Sequence, residues 1–261
     1  IGCFVLDAER EQLGNVHGAP RVVWYAVAIM TMIGNNLQRV HARMAAACAD
    51  AGRAAADVQL LAVSKTFDAD AVREAAAAGQ TAFGENYIQE AVAKIQALQG
   101  LGLVWHCIGP VQSNKSRLVA EHFDWAHTVD RLKLAERLSA QRPAHLPPLN
   151  VCIQANIDGG ATKSGVAPAD VAALAQAIVG LPGLRLRGLM TIPDIAPDFA
   201  AQCAVHTGAR VLFDAVKAGL SAGHAADFDT LSMGMSADLG AAIRCGSTLV
   251  RVGTAIFGGR V

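Results

Sequence analysis

The sequence predicts a single (β/α)8 barrel of the TIM type, preceded by one extra N-terminal helix. Short apolar runs alternate with amphipathic stretches after residue 34, which is the pattern of parallel strands covered by helices. Eight such runs follow one another, and eight strands close a barrel of about 250 residues. The 261 residues of the chain therefore fit one barrel.

The predicted strands and helices follow one another without a composition shift, so no second domain is expected. The strands are predicted at Leu60–Ser64, Thr81–Gly84, Val104–Ile108, Trp125–Val129, Asn150–Ala155, Arg185–Met190, Thr230–Met233 and Leu249–Val252. The extra helix is predicted over residues 34–51, and the later helices at Ala69–Ala78, Tyr87–Leu98, Ser116–His122, Arg131–Gln141, Pro168–Val179, Ala200–Ala218 and Ala237–Arg244.

Start and stop signals flank several of these helices. Asp68 and Asp130 precede helical stretches and are predicted as N-caps, since a carboxylate can accept the N–H groups of a first turn. Pro168 suits the first helical position. Gly79 is predicted to close the helix that begins at Ala69, because glycine readily adopts a left-handed conformation after a helix.

An open doubly wound sheet is the competing architecture for alternating strands and helices. Such sheets usually carry a glycine-rich turn directly after the first strand. Here Leu60–Ser64 is followed by Lys65 and Thr66, and the next glycine is Gly79. The sequence therefore favours the barrel.

Composition argues against several function classes. Lys+Arg and Asp+Glu both number 22, so the formal net charge is zero, and the sequence lacks the basic stripe of a nucleic-acid binder. The same balance gives no reason to expect binding to an anionic membrane. The six cysteines contain no C-x-x-C pair, and Cys107 and Cys152 lie in apolar runs as predicted core residues. A cytoplasmic protein is expected.

The first thirty residues differ from the rest. Val22–Ile33 is an apolar run of 12 residues, shorter than the ~20 residues needed to span a bilayer. Acidic residues precede this run, whereas a signal peptide begins with positive charge. We therefore expect residues 1–29 to be a non-native or mis-called N-terminal extension, and residues 30–261 to form the barrel domain.

Lys65 directly follows the first predicted strand, at the end of the barrel where (β/α)8 proteins carry their functional loops. Partial burial and nearby cations lower the pKa of a lysine, so that more of it is the neutral amine that attacks an aldehyde. A lysine that only reaches out of the barrel mouth into solvent is the alternative. The position of Lys65 alone fits both.

Two glycine-containing segments, Ser232–Ser236 and Arg251–Thr254, follow the seventh and eighth predicted strands. Barrels often bind phosphate at these two loops, where glycine lets the backbone approach an anion and a helix N-terminus offers N–H groups. Glycines that serve only tight turns are the alternative. Phosphate binding is favoured because two such segments coincide at the expected place.

A reactive lysine and a phosphate site at one barrel mouth indicate a phosphorylated aldehyde as ligand. Pyridoxal 5′-phosphate is one such compound, and a phosphosugar in an aldolase is another. The Schiff-base lysine of an aldolase typically lies on a later strand, whereas Lys163 and Lys217 occupy predicted loop and helix positions here. The aldolase is therefore the less favoured of the two.

Seven blocks that follow one another along the sequence carry a family resemblance. They are Leu61–Thr66, Phe83–Tyr87, Trp105–Lys115, Lys163–Gly165, Gly188–Met190, Leu231–Asp238 and Val250–Gly258. In these blocks the chain resembles the YggS/PROSC family of pyridoxal phosphate homeostasis proteins, whose barrel resembles that of alanine racemases. Residues 1–29 lie outside the resemblance.

The resemblance implies that eight residues bind the cofactor: Lys65, Asn86, Ser232, Met235, Ser236, Arg251, Gly253 and Thr254. Within this set, Lys65 is implied as the Schiff-base lysine, and Ser236, Gly253 and Thr254 match phosphate contacts. Arg251 matches an arginine that faces the pyridine nitrogen. Such an arginine keeps that nitrogen unprotonated, which makes the cofactor a weaker electron sink.

The resemblance further implies a reversible carrier or buffer that hands pyridoxal phosphate to apo-enzymes, acts as a monomer and has no strong catalytic activity. A racemase-like enzyme is the alternative. Alanine racemases need a second acid–base group, a tyrosine supplied by an additional β-domain, whereas this sequence contains only Tyr25 and Tyr87. Tyr25 falls in the expected extension and Tyr87 begins a predicted helix, so no catalytic residue is assigned.

No histidine is predicted to be catalytic or to bind a metal. His106 ends a predicted strand, where a hydrogen-bonded structural role is favoured over that of an acid or base. No metal site is predicted from five other histidines, because they are scattered along the chain, at His122, His127, His145, His206 and His224.

Overall fold

A computed structural model describes residues 31–159, 164–194 and 196–259. Residues 1–30, which contain the expected extension and Tyr25, lie outside the described residues, as does Lys163. Eight parallel strands pair in sequence order, and the eighth pairs with the first to close a barrel. The predicted (β/α)8 fold is therefore confirmed.

The strands agree with the predicted apolar runs to within one residue at each end, because strands buried on both faces consist of nearly continuous apolar residues. They are β1 (Gln59–Val63), β2 (Ala82–Glu85), β3 (Val104–Cys107), β4 (Trp125–Val129), β5 (Leu149–Gln154), β6 (Leu184–Met190), β7 (Thr230–Ser232) and β8 (Leu249–Val252). Cys107 and Cys152 are fully buried, as predicted.

The helices cover the outside of the barrel, and the predicted extra helix is α1. They are α1 (Met32–Asp50), α2 (Ala69–Ala77), α3 (Ile88–Ala97), α4 (Ser116–His122), α5 (Leu132–Gln141), α6 (Pro168–Val179), α7 (Phe199–Ala218), α8 (Ala222–Asp227), α9 (Leu239–Arg244) and α10 (Thr254–Phe257). The sequence did not predict α8 and α10, which are too short to show a periodic apolar pattern. Within the described part of the chain, no helix combines the length and apolarity needed to cross a membrane.

Three of the four predicted helix-boundary signals are confirmed. The side chain of Asp68 accepts a hydrogen bond from the N–H of Ala71 and caps α2. Gly79 follows the last turn of that helix with a φ of 96°, a left-handed conformation that suits glycine. Pro168 is the first residue of α6.

The predicted N-cap at Asp130 is wrong. Arg131 is the N-cap residue of α5, and no side chain caps that helix. The Asp130 carboxylate instead accepts a hydrogen bond from the guanidinium of Arg131 at 2.5 Å. An adjacent cation competes successfully for the carboxylate, so the first turn of α5 lacks this cap.

Helix α1 supports the segments that follow β7 and β8. Its apolar face, which runs from Ile33 to Cys48, is buried, and the helix contacts α9 and α10. The Asn36 side chain donates to the carbonyl of Ile256 at 2.7 Å, and Arg43 donates to the carbonyl of Ser236 at 2.6 Å. The extra helix therefore fixes both loops that were predicted to bind phosphate.

Candidate functional site

The closed barrel brings the C-terminal ends of all eight strands to one mouth. Strand β1 pairs with β2 on one side and with β8 on the other. Lys65, which follows β1, therefore lies between the segment that contains Asn86 and the segment that contains Gly253 and Thr254. Residues that are distant in sequence thus meet at this mouth.

Lys65 is half-buried in a tight turn that runs from Ser64 to Phe67. The turn is closed by a hydrogen bond from the Phe67 N–H to the Ser64 carbonyl, at 3.1 Å. Thr66, its third residue, has a φ of 69° and is alone among the described non-glycine residues in having a positive φ. This conformation is unfavourable for a β-branched side chain, so surrounding groups must hold the turn.

An ionic cluster that no sequence pattern indicated lies beneath this turn, and in it Glu85 and Lys94 are buried whereas Glu90 is exposed. Lys94 Nζ donates to the Ser64 carbonyl at 2.9 Å and to the Glu85 carboxylate at 2.6 Å, and lies 3.3 Å from the Glu90 carboxylate. Glu90 accepts the N–H of Thr66 at 3.1 Å. Burial raises the pKa of Glu85, and the Lys94 ammonium acts in the opposite direction. Strand β2 and helix α3 therefore hold the turn that carries Lys65.

Arg251 carries a buried positive charge near the mouth and is 4% exposed. One guanidinium nitrogen donates to the carbonyl and to the hydroxyl of Ser232, at 2.8 and 2.9 Å, and the other donates to the carbonyl of Thr191 at 2.8 Å. Burial lowers the pKa of Arg251 to about 10, so the group remains protonated at neutral pH. All three acceptors are uncharged, which leaves the charge able to interact with an electron-rich ligand atom.

Two histidines extend this polar chain across the barrel interior. His127 Nδ1 lies 3.1 Å from the Ser232 hydroxyl, although β4 and β7 are not neighbouring strands. His127 Nε2 lies 2.9 Å from Nδ1 of His106, whose ring stacks on Trp125. Burial lowers the pKa of His106 to about 3 and that of His127 well below its usual value. Both rings are therefore neutral, and His106 is fully buried and hydrogen-bonded.

Ser232 is also the predicted binding residue that lies deepest, with no exposed surface. Because its hydroxyl is hydrogen-bonded to Arg251 and His127, it affects the site by orienting Arg251. The pairing of His106 with His127 was missed because each lies in a separate block of sequence. The sequence nevertheless contained an indication of this pairing, because each histidine interrupts the apolar run of a predicted strand and the two strands are neighbours.

The segment after β7 is held in place by the half-buried carboxylate of Asp238, which also contacts the buried His206. The Met235 N–H donates to Asp238 at 2.6 Å, and the other carboxylate oxygen of Asp238 lies 2.9 Å from His206 Nε2. Met235 is exposed and Ser236 is half-buried. Gly234 has a φ of 91°, and a Cβ added there would lie 2.4 Å from the Cβ of Ala242. The close approach of loop and helix α9 therefore requires glycine.

The segment after β8 packs directly against β1. A Cβ added to Gly253 would lie 3.1 Å from the Val63 carbonyl, so glycine permits this close approach. Gly253 is the N-cap residue of α10, and Thr254 is exposed at the first position of that helix. The rings of Phe67 and Phe257 stack with their centroids 5.1 Å apart. These contacts fix Gly253 and Thr254 relative to the turn that carries Lys65.

A cavity of about 330 Å³ opens at the barrel mouth, a size typical of small-molecule sites. The Asn86 side-chain oxygen is buried there and has no hydrogen-bond partner, so a bound ligand could supply one. Of the residues that line this cavity, only Asn86 was predicted to bind a ligand. The others could have been proposed from the sequence where polar residues follow the ends of apolar strands. The lining consists of Asn86, Ile108, Pro110, Thr128, Gln154, Ser164, Ile192, Pro193 and Asp194.

Comparison with known proteins gives three consistent matches. Residues 36–261 match the family described as alanine racemase, N-terminal domain. A Pseudomonas aeruginosa protein named pyridoxal phosphate homeostasis protein is 57% identical over 231 residues, covering 88% of this chain and 97% of that protein. An Escherichia coli K12 protein of the same name is 54% identical over 234 residues, covering 88% and 98% of the two chains.

A solved structure leads to the same group. It is that of PipY from Synechococcus elongatus PCC7942 with PLP bound, and it superposes with a TM-score of 0.73 at 37% sequence identity. The match covers 87% of this chain and 100% of PipY. The range 36–261 includes all eight predicted binding residues.

Proposed function

This chain belongs to the YggS/PROSC family of pyridoxal phosphate homeostasis proteins, and we propose that it holds pyridoxal 5′-phosphate through Lys65. The observation that carries this proposal is the half-buried position of Lys65, in a strained turn at the mouth of the barrel. Reversible binding through this lysine makes the protein a carrier or buffer in pyridoxal phosphate homeostasis.

The residues present fit this cofactor. The unpaired oxygen of Asn86 lies in the wall of a cavity of suitable size. Gly253 opens the segment that would hold the phosphate together with Thr254 and Ser236. When bound, the cofactor supplies an aldehyde carbon that reacts with a neutral amine, and Lys65 supplies that amine.

Arg251 favours retention of the cofactor over strong catalysis. Its guanidinium keeps its proton at neutral pH, so it gives none to a pyridine nitrogen that it faces. A pyridine ring without that proton is a weaker electron sink. Tyr87 is 55% exposed beside Asn86 and therefore lies largely in solvent, which does not favour a racemase acid–base role.

The cofactor is handed to apo-forms of pyridoxal phosphate enzymes, and the protein acts as a cytoplasmic monomer. A formal net charge of zero supports partners other than nucleic acid or an anionic membrane.

An absorption spectrum with peptide mapping tests the proposal. Protein incubated with pyridoxal 5′-phosphate should turn yellow, and borohydride reduction should fix the cofactor mass on the peptide that contains Lys65. A colourless protein that takes up no cofactor would contradict the binding function, and a mass fixed on another lysine would contradict the role of Lys65. Rapid racemisation of alanine would favour the racemase-like alternative.

A further inference from the structure

We propose that Glu90 and Lys94 of helix α3 are positioning residues for Lys65, because they hold both peptide groups that flank it. The inference deepens the proposed function and rests on the role of Lys65 given there. It concerns the direction in which the lysine side chain leaves the backbone, and neither Glu90 nor Lys94 is assigned a contact with the cofactor.

The turn needs an external constraint. Its third residue, Thr66, has a φ of 69°, a position at which such turns normally carry glycine. A β-branched residue is strained there, so the isolated turn would relax to a negative φ. That relaxation would rotate the peptide between Lys65 and Thr66 and redirect the Lys65 side chain.

Helix α3 supplies the constraint at two points. The peptide before Lys65 contains the Ser64 carbonyl, which accepts a hydrogen bond from Lys94 at 2.9 Å. The peptide after Lys65 contains the Thr66 N–H, which donates to Glu90 at 3.1 Å. Because both flanking peptides are held, the Cα–Cβ bond of Lys65 has a fixed direction.

The charges in the cluster make Lys94 a hydrogen-bond donor and not a second reactive amine. Its side chain is 6% exposed and lies 2.6 Å from the Glu85 carboxylate and 3.3 Å from that of Glu90. The ammonium group donates hydrogen bonds to the Ser64 carbonyl and the Glu85 carboxylate, and it forms an ion pair with Glu90. Lys94 thus also orients the Glu90 carboxylate that holds Thr66.

A double-mutant cycle between Thr66 and Glu90 tests this arrangement. The variants are Glu90→Ala, Thr66→Gly and their combination, with Gln96→Ala as a control at an exposed position on the same helix. Two quantities are measured: the dissociation constant for pyridoxal 5′-phosphate, and the rate at which acetic anhydride modifies Lys65 in the cofactor-free protein. The second is followed by peptide mass spectrometry.

Glu90→Ala is expected to weaken cofactor binding about tenfold, the scale of backbone strain at one residue, and to change the Lys65 modification rate. Gln96→Ala should alter neither quantity. Glycine at position 66 adopts a positive φ without a side-chain penalty. The combined variant should therefore return to within about twofold of Thr66→Gly.

Glu90→Gln keeps an oxygen that can accept the Thr66 N–H, so it should stay closer to the native protein than Glu90→Ala does. Loss of binding in Glu90→Gln equal to that in Glu90→Ala would overturn the hydrogen bond to Thr66 as the cause. The inference would also be overturned if Glu90→Ala behaved like Gln96→Ala, or if Thr66→Gly restored nothing. If the native protein takes up no cofactor, the proposed function fails instead, and the modification rates still test the inference.

Discussion

The hydroxyl oxygen of Ser232 lies 2.9 Å from a guanidinium nitrogen of Arg251 inside the barrel. Arginine can only donate, so the hydroxyl accepts this bond and its own proton is directed to His127 Nδ1, 3.1 Å away. His127 then donates from Nε2 to Nδ1 of His106 at 2.9 Å. With the hydrogen bonds in this order, the Ser232 hydroxyl proton has an acceptor. The orientation of Arg251 therefore depends on the two neutral histidines through Ser232.

Replacing Ser232 with alanine should destabilise the protein by about 1–3 kcal/mol, because buried groups on Arg251 and His127 lose a partner. Urea unfolding measures this change, with Gln96→Ala as a control at an exposed position of helix α3. The control should stay within about 0.5 kcal/mol of the native protein. Equal stabilities of the two variants would contradict the energetic importance of the Ser232 hydroxyl.

The two buried histidines predict a loss of stability in mild acid. The unfolded chain protonates each histidine near pH 6.5, whereas the pKa of His106 is about 3 in the folded protein and that of His127 is also lowered. The unfolded state therefore binds more protons below pH 6.5, so stability is present above that pH and falls as the pH decreases toward 3. His106 should account for about 2 kcal/mol between pH 7.5 and pH 5, and His127 should contribute in the same direction.

Urea unfolding at a series of pH values checks this expectation. His106→Gln should show a shallower pH dependence than the native protein, whatever its absolute stability, since one protonatable group is removed. The same slope in both proteins would show that His106 is not responsible for the acid sensitivity.

Lys65→Ala should abolish the absorption band of the bound cofactor while the fold is retained. Lys65 is half-buried in a turn, and the hydrogen bonds that hold this turn go to the backbone of its neighbours. Circular dichroism and thermal unfolding measure the fold, and borohydride labelling followed by mass spectrometry measures the cofactor. Unfolding of Lys65→Ala would instead indicate that this lysine is structural.

Gly109→Ala should weaken cofactor binding and destabilise the fold by about 1–3 kcal/mol. A Cβ at position 109 would lie 2.3 Å from the Asn86 carbonyl oxygen, so the segment that carries Asn86 must move. Gly223→Ala is the matched control, because no atom lies within 4 Å of the added Cβ. The control lies in helix α8 and should gain up to about 1 kcal/mol. Dissociation constants and urea unfolding measure the two effects, and equal behaviour of the variants would contradict the close approach.

The fold was predictable because its strands are buried on both faces. Trp125–Val129 and Leu249–Val252 have the predicted bounds, since each is a short, mainly apolar run that begins after a polar residue, Asp124 or Thr248. The helix-boundary signals were less reliable where a second group competes for the capping side chain. Asp130 is the example, because its carboxylate pairs with Arg131 instead of capping α5.

The cluster beneath Lys65 was not predictable in the same way. Lys94 lies four residues after Glu90 on a predicted helix, a spacing typical of an exposed ion pair. In the closed barrel this pair lies under the turn that carries Lys65, and Lys94 is buried against Ser64 and Glu85. The sequence places residues on elements, but contacts between elements depend on how far each helix is rotated toward the barrel.

The contact between His127 and Ser232 across the barrel has a kinetic consequence. Side chains fill the interior at that level, so a ligand held at the mouth must leave by the route through which it arrived. If an acceptor enzyme covers the mouth, it excludes competing scavengers during the exchange, and the transfer rate rises with acceptor concentration until the complex saturates. If the ligand first escapes into bulk solvent, the transfer rate stays constant at the escape rate. A stopped-flow experiment with increasing acceptor therefore distinguishes channelled delivery from simple dilution.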